Sequence, residues 1–320
     1  MRTPVLLGPH RLADVVRPLH PVASIYLGQS DAPWGDRAAA LVDALRAAGA
    51  DEATVVDFLV AVPDEPDTPV AVFADGGHVP AVYPMPGRRG PDTARYGAPA
   101  RVLPLVAWAQ ERPPCVVVDA RHASVEVASV PGGLAASGRE SVWCRPRAAV
   151  AACRDAVDRC GARLVVVHGG EPLAEALRTA FGPDVTVRRV REPGPDRLAE
   201  VARSTARLWA ARSVAEFDER SAVPGHAVRG VGPTLAALAR GRVRELLVDR
   251  AVADPATGWF GASARQVLDR PHVAWRSGPA VDVAVRSALL GGVPVRVLRP
   301  GALPAGVGAL CRYPLAVVPS

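Results

Sequence analysis

Between Ser129 and Cys144 the chain reads SVPGGLAASGRESVWC, a Gly-Gly pair, a further glycine, one Arg, one Glu and a Cys after a short apolar run. Glycine lets backbone approach a phosphate or a base closely, and Arg139 and Glu140 add polar groups. The stretch is therefore a catalytic or anion-cradling loop, or a plain connection between two elements. A second glycine turn, His168-Gly169-Gly170 in VVVHGGEPLAEAL, lies between an apolar strand and a helix, where exposed N–H groups can hold an anion. It lacks the fuller glycine fingerprint and no lysine or hydroxyl follows, so a structural turn is its ordinary reading. There is no HExxH, no GxSxG and no paired Cys and His cluster, and Asp31, Asp36, Asp43 and Asp51 are too scattered to propose an acid/base pair. Five cysteines without CxxC spacing indicate neither a disulfide framework nor a zinc site. The patterns point to no catalytic residue, no cofactor and no metal.

Charge carries more information than these motifs. All 38 cationic side chains are arginine, which a GC-rich coding bias explains without a guanidinium being needed at every site. Residues 1–111 hold 9 Arg against 13 Asp and Glu, residues 112–220 hold 17 against 14, and residues 221–320 hold 12 against 5. The last third is thus the best candidate for a surface facing a polyanion. Within it, ARGRVREL clusters Arg240, Arg242 and Arg244, and strand alternation would put Arg242 and Arg244 on one face. In GRRGPDTARY, Arg88, Arg89 and Arg95 could sit against phosphates from a loop.

The elements that must position these residues fall into three α/β regions, 1–111, 112–220 and 221–320. The first is expected to hold helix RLADVVRPL, strand VASIYLGQ, a helix from Asp36 to Ala48, three strand-like runs in ATVVDFLV, PVAVFAD and HVPAVYPMP, a loop at GRRGPDTARYGAP, and helix VLPLVAWAQE ended by RPP. The second opens with CVVVDA and ASVEVASV as a hairpin. It continues with helix RAAVAACRDAVDRC, whose apolar stripe makes Cys153 a core residue, then strand ARLVVVH, helix EPLAEALRTAF, strand DVTVRRV and one or two helices up to Ser221. The third alternates helix GPTLAALAR, strand VRELLVD, helices SARQVLD and AVDVAVRSALLGG and strand VPVRVL, forming a compact α/β/α unit. No apolar run is long enough to cross a membrane and the N-terminus meets charge and proline too early for a signal peptide, so a cytoplasmic location is expected.

The three-region order, CVVVDARHASVEV leading into a Gly-Gly loop, VGPTLAALARGRVRELLVDRAV and the closing GVGALCRYPL together resemble the archaeal and eukaryotic peptide-chain release factor and Pelota superfamily. The likeness is to its bacterial branch, which includes actinobacterial Balon-like ribosome hibernation factors. The resemblance implies a third region with the fold of a ribosomal L7Ae/L30e protein, in which Gly306, Gly308 and Arg312-Tyr313 match a closing glycine-rich motif. It also aligns Gly132-Gly133 with the first two positions of the release-factor Gly-Gly-Gln loop, where the third position is Leu134. An aliphatic side chain cannot help orient an attacking water, so release activity is not expected. What the resemblance implies instead is a non-catalytic factor bound to ribosomal RNA in the A-site region, with elongation factor Tu as a further partner. The contact residues would be Gly132, Gly133, Arg139, Arg88, Arg89, Arg240, Arg242, Arg244 and Arg312. Two alternatives stay open: a nonribosomal regulatory or scaffold protein of the same architecture, and an RNA or peptidyl-tRNA hydrolase using Arg121, Arg139 and Glu140.

Overall fold

The computed structural model describes residues 12–121, 124–130, 132–133, 139–192, 194–251 and 256–313. The chain forms two compact units, one combining Met1–Ala107 with Arg212–Ser320 and the other comprising Trp108–Ala211. The first and last regions of the sequence therefore fold against each other, and the middle region is the inserted unit.

The first region runs α1 (Leu12–Val16), β1 (Val22–Tyr26), α2 (Trp34–Ala47), α3 (Glu52–Ala61), β2 (Val70–Ala74), β3 (Ala81–Pro84), β4 (Thr93–Gly97) and α4 (Leu103–Gln110). Its antiparallel sheet has the order β3-β2-β1-β4. Ile25, Leu45, Phe58 and Val72 meet in the core beneath α2 and α3. Two expectations are corrected. ATVVDFLV is helical despite its β-branched residues, because Asp51 caps the helix by accepting the Thr54 N–H at 2.8 Å while Thr54, Val55 and Phe58 are buried at helical spacing. The GRRGPDTARYGAP loop contains β4, whose edge position on β1 follows from Val22 pairing with Gly97 and Tyr26 with Thr93.

Within this region a buried guanidinium closes a network. Arg37 donates from Nε and Nη2 to both Asp92 oxygens at 2.8 and 3.1 Å, from Nη1 to Glu65 at 2.7 Å and from Nη2 to the Gly28 carbonyl at 2.8 Å. Asp92 also accepts the Gly28 N–H at 2.7 Å. A bidentate pair on a buried arginine is the strong form of the interaction.

The inserted unit contains β5 (Cys115–Arg121), β6 (Ser124–Val130), β7 (Glu140–Cys144), α5 (Ala149–Cys160), β8 (Leu164–His168), α6 (Glu171–Phe181), β9 (Thr186–Val190) and the start of α7 (Pro195–Ser221). The sheet order is β7-β6-β5-β8-β9, with β5, β8 and β9 parallel. The runs Val116–Val118 and Leu164–Val167 are buried because both sheet faces are covered: α5 and α6 pack through Cys153, Val157, Ala174 and Leu177, and α7 through Val201 and Ala202. Burial pushes the Cys153 thiol up to about 12, which leaves it protonated and inert, as its place on the stripe suggested.

The last region adds β10 (Ala227–Arg229), α8 (Val231–Ala239), β11 (Val243–Asp249), β12 (Thr257–Phe260), β13 (Val267–Leu268), β14 (Arg276–Pro279), α9 (Ala280–Leu290), β15 (Val295–Leu298) and β16 (Val307–Cys311). One sheet has the order β10-β16-β11-β15, and a smaller one β13-β12-β14. SARQVLD, expected as a helix, ends in β13, where Val267 pairs with Phe260. Gly308 on β16 is required by close approach: a Cβ there would lie 2.8 Å from the Phe217 ring of α7.

α9 is buried along nearly its whole length and joins the first and last regions. Arg286, fully buried, donates to the carbonyls of Val16 at 2.8 Å and Arg17 at 3.1 Å, at the C-terminal end of α1, and lies over the Phe260 ring at 4.8 Å. Those carbonyls lack intrahelical donors, and a cation at that end also meets the negative pole of the helix. Burial pushes the Arg286 pKa down to about 10, which still leaves it charged at neutral pH. Asp282, on the same helix, takes Arg95 of β4 at 2.9 Å.

Replacing Arg286 by Ala is expected to cost about 3 kcal/mol or more in urea unfolding of the first unit, since two charge-assisted bonds are removed and helix carbonyls are left without partners. A pH dependence follows from Asp92. Burial alone would raise its carboxyl, but hydrogen bonds from Arg37 and the Gly28 N–H hold it below its ordinary value. A lowered carboxyl contributes stability above its unfolded pKa and loses it as pH falls through the folded value. The stability difference between wild type and Asp92→Asn should therefore be full at neutral pH and shrink below about pH 4.

Candidate functional site

The glycine loop begins where β6 ends. Val130 pairs with Cys115, and two residues later the backbone runs along the segment that links α4 to β5. Gly133 donates its N–H to the Arg112 carbonyl at 2.9 Å. A Cβ on Gly132 would stand 2.8 Å from Pro114 Cδ, and one on Gly133 would stand 2.6 Å from the Trp108 ring. That ring is buried and carries the Arg112 guanidinium at 4.6 Å. Both glycines are thus explained by close packing inside the unit, without an external ligand. Leu134 lies outside the described residues, as does Gly138.

The chain returns as β7, with Ser129 opposite Glu140 and Glu126 opposite Trp143. The return is fastened by this backbone ladder. Val142 and Trp143 are 49% and 59% exposed on the edge strand, so their side chains add little to it. Arg139 is exposed and reaches Glu126 at 3.4 Å, and Glu140 is exposed beside it. Arg121 ends β5 opposite Ser124.

The second glycine turn follows β8. His168 Nδ1 lies 2.7 Å from Asp119 Oδ1, and Asp119 is buried at the matching end of parallel β5. With the proton on Nδ1, this carboxylate orients the ring and leaves the Nε2 lone pair outward, half of an acid/base pair. Among the described residues no hydroxyl or thiol is hydrogen-bonded to His168. Glu171, in the first turn of α6, is held by Arg178 at 2.7 Å and Arg189 at 3.0 Å and makes no cap to the helix N–H groups. Asp119 was not legible in the sequence because its role depends on the β5–β8 register.

The arginines separate into those held by their own unit and those open to solvent. Arg88 is half-buried over the Tyr26 ring at 5.6 Å and donates to the Pro91 carbonyl at 3.4 Å, so it packs inward while Arg89 stays exposed. Arg244 pairs with Glu216 of α7 at 2.6 Å, which also takes Arg220 at 2.7 Å. The register shifts between Val243 and Glu245, so a bulge at Arg244 interrupts the alternation that would have put Arg242 and Arg244 on one face.

Arg240, Arg242 and Arg312 come together where β11 begins and β16 ends. The Arg312 N–H donates to the Arg242 carbonyl at 2.7 Å and its Nε to the Val243 carbonyl at 3.2 Å. Arg265 joins them: Gly241, at φ +66, lies against its guanidinium, and a Cβ there would be 2.9 Å from Nη2. Among the described residues neither Arg240 nor Arg265 is paired with a carboxylate, and both are exposed, as are Arg312 and Tyr313, while Arg242 is half-buried between them. The sequence did not point to Arg265 because it is 24 residues from Gly241 along the chain. This end of the sheet is the candidate polyanion contact.

No protein-family description matches the chain, and no curated protein matches it. Among solved structures it is similar to Pelota from Archaeoglobus fulgidus, at 12% identity and a TM-score of 0.34, covering 99% of this chain and 95% of that one. A ribosome-bound archaeal Pelota, described with ABCE1, matches at 12% identity and a TM-score of 0.42, covering 96% and 94%. Dom34 of S. cerevisiae, a translation termination-like factor involved in RNA quality control and interacting with Hbs1, matches at 10% identity and a TM-score of 0.42, covering 99% and 96%. The mixed α/β architecture of the chain rests on its own strands and helices.

Gly133→Ala should destabilise the inserted unit by about 1–3 kcal/mol in denaturant unfolding, because the new methyl overlaps a ring that is itself packed. Arg139→Ala should stay within about 0.5 kcal/mol of wild type, its ion pair being exposed.

Proposed function

We propose that the chain is a ribosome-associated homologue of translation factors that occupies the A-site region of idle ribosomes and breaks no bond there. The observation that carries this reading is the exposed arginine set Arg240, Arg265 and Arg312, beside exposed Tyr313, in the region with 12 Arg against 5 acidic residues. Guanidiniums that face solvent bind phosphate, and an exposed aromatic ring beside them can stack on a base. Arg242 adjoins the set through its backbone. The ribosomal setting comes from the sequence resemblance of Val231–Val252 and of Gly306, Gly308 and Arg312-Tyr313 to the release factor and Pelota superfamily.

Two features favour occupancy over catalysis. Leu134 stands where release factors carry glutamine, and the Gly132-Gly133 pair before it is engaged with Pro114 and Trp108. Among the described residues no hydroxyl or thiol is hydrogen-bonded to His168 of the Asp119–His168 dyad. Arg89 and Arg139 are exposed and available as secondary contacts, whereas Arg88 and Arg244 are occupied by Tyr26 and Glu216. Elongation factor Tu is the further partner that the resemblance implies.

Sucrose-gradient cosedimentation with ribosomes from stationary and growing cells tests the association. Binding should weaken with rising salt, and the double substitution Arg240→Ala with Arg265→Ala should reduce both the affinity and the salt slope, by roughly one unit for each phosphate no longer neutralised. Absence of salt-sensitive association with ribosomes from either growth state would contradict the proposal.

A further inference from the structure

Three side chains from separate parts of the sequence converge at one end of the first sheet. Ala23 of β1 pairs with Ala74 of β2, so the residues leading into β1 and out of β2 share that end. His20 precedes β1, Asp75 follows β2, and His78 lies on the connection to β3. His20 Nε2 and His78 Nδ1 each lie 2.9 Å from the same oxygen, Asp75 Oδ2. All three ligand atoms fall within 4.8 Å of one another. The imidazole rings are stacked, 8° from parallel with centroids 6.4 Å apart.

The carboxylate between them is held in place. Asp75 Oδ1 accepts the backbone N–H of Gly77 at 3.2 Å and of His78 at 3.1 Å, which leaves Oδ2 to the two rings. The Asp75 side chain is 11% exposed, while His20 and His78 are 48% and 76% exposed, so the cluster opens to water on the imidazole side. Gly76, at φ +76, lies against the Asp51 carboxylate, which adds a second negative charge behind the loop.

Two imidazole nitrogens and one carboxylate oxygen are the ligand types that zinc and its neighbours take. Tetrahedral bonds of about 2.0–2.1 Å place ligand atoms roughly 3.3 Å apart, so the two His–Asp75 spacings need widen by only a few tenths of an ångström, and the two imidazole nitrogens, within 4.8 Å, close onto the ion by ring rotation at exposed positions. Magnesium and calcium would prefer a set made of oxygens.

We propose that His20, Asp75 and His78 bind one divalent first-row transition ion of the zinc class, with water completing its coordination. The ion would tie the lead-in to β1 to the β2–β3 connection, a staple across one end of the sheet. The inference is independent of the ribosomal reading, which draws on other residues.

The test uses the full, untagged chain after chelator dialysis, titrated with Zn2+ by calorimetry and with Co2+ by visible absorbance. Wild type should take up one equivalent, and the Co2+ spectrum should lack a thiolate charge-transfer band, since no cysteine is in the set. Asp75→Asn retains an oxygen for the Gly77 and His78 N–H groups and so preserves the turn. It should weaken binding at least tenfold, as should His78→Gln at its exposed position. The proposal is overturned if wild type takes up no stoichiometric ion, or if both variants bind Zn2+ as tightly as wild type does.

Discussion

The first and last thirds of this chain become one unit because α9 has to be buried on every side, and a guanidinium inside that helix must then find partners. Arg286 finds them in the carbonyls of Val16 and Arg17, at an end of α1 where the helix itself leaves them without donors. Two needs are met at once: a buried charge is hydrogen-bonded and a helix terminus is satisfied. The Arg95–Asp282 pair repeats the arrangement on the same helix, with the carboxylate now on α9 and the cation on β4. Burial raises the Asp282 carboxyl despite the opposing pull of Arg95, whose own side chain reaches solvent. Contacts of this kind join elements nearly the whole chain apart, and the arginine end of the last sheet belongs to the unit they hold together.

The two glycine loops show why composition is a weak guide to chemistry. Gly132-Gly133 looks like a backbone made to approach RNA, yet what it approaches is Pro114 and the Trp108 ring of its own unit. His168-Gly169-Gly170 looks like an anion turn, yet its histidine is held by the buried Asp119 and the Glu171 that follows is engaged by Arg178 and Arg189. Once ion pairs are set aside, Arg240, Arg265 and Arg312 remain exposed together at one end of the last sheet among the described residues. The proposal that the chain occupies its target rests on this open charge.

Most helices and strands were legible because their burial repeats with a local period. The misreadings share a cause. In ATVVDFLV the β-branched residues favour a strand, and a single cap at Asp51 with burial of Val55 and Phe58 decided for helix. The strand in GRRGPDTARYGAP exists only through its pairing with β1, and the short β13 in SARQVLD only through β12. The same limit applies to side chains. Arg265 beside Gly241, Asp119 beside His168, and His20 beside Asp75, 55 residues on, are brought together by register and topology, which no local pattern records. The local signals that did survive were the arginine cluster of the last third and the apolar stripe that buried Cys153.

The central claim is that this chain sits in the A-site region of ribosomes and leaves the bonds there intact. Cryo-electron microscopy of ribosomes incubated with the full chain tests it most directly. The account predicts a class with the protein in the A site, the Arg240, Arg265 and Arg312 end of its last sheet against ribosomal RNA, and any peptidyl-tRNA present uncleaved. Ribosomes without bound protein at saturating concentration, or a complex with that arginine end turned to solvent, would contradict it.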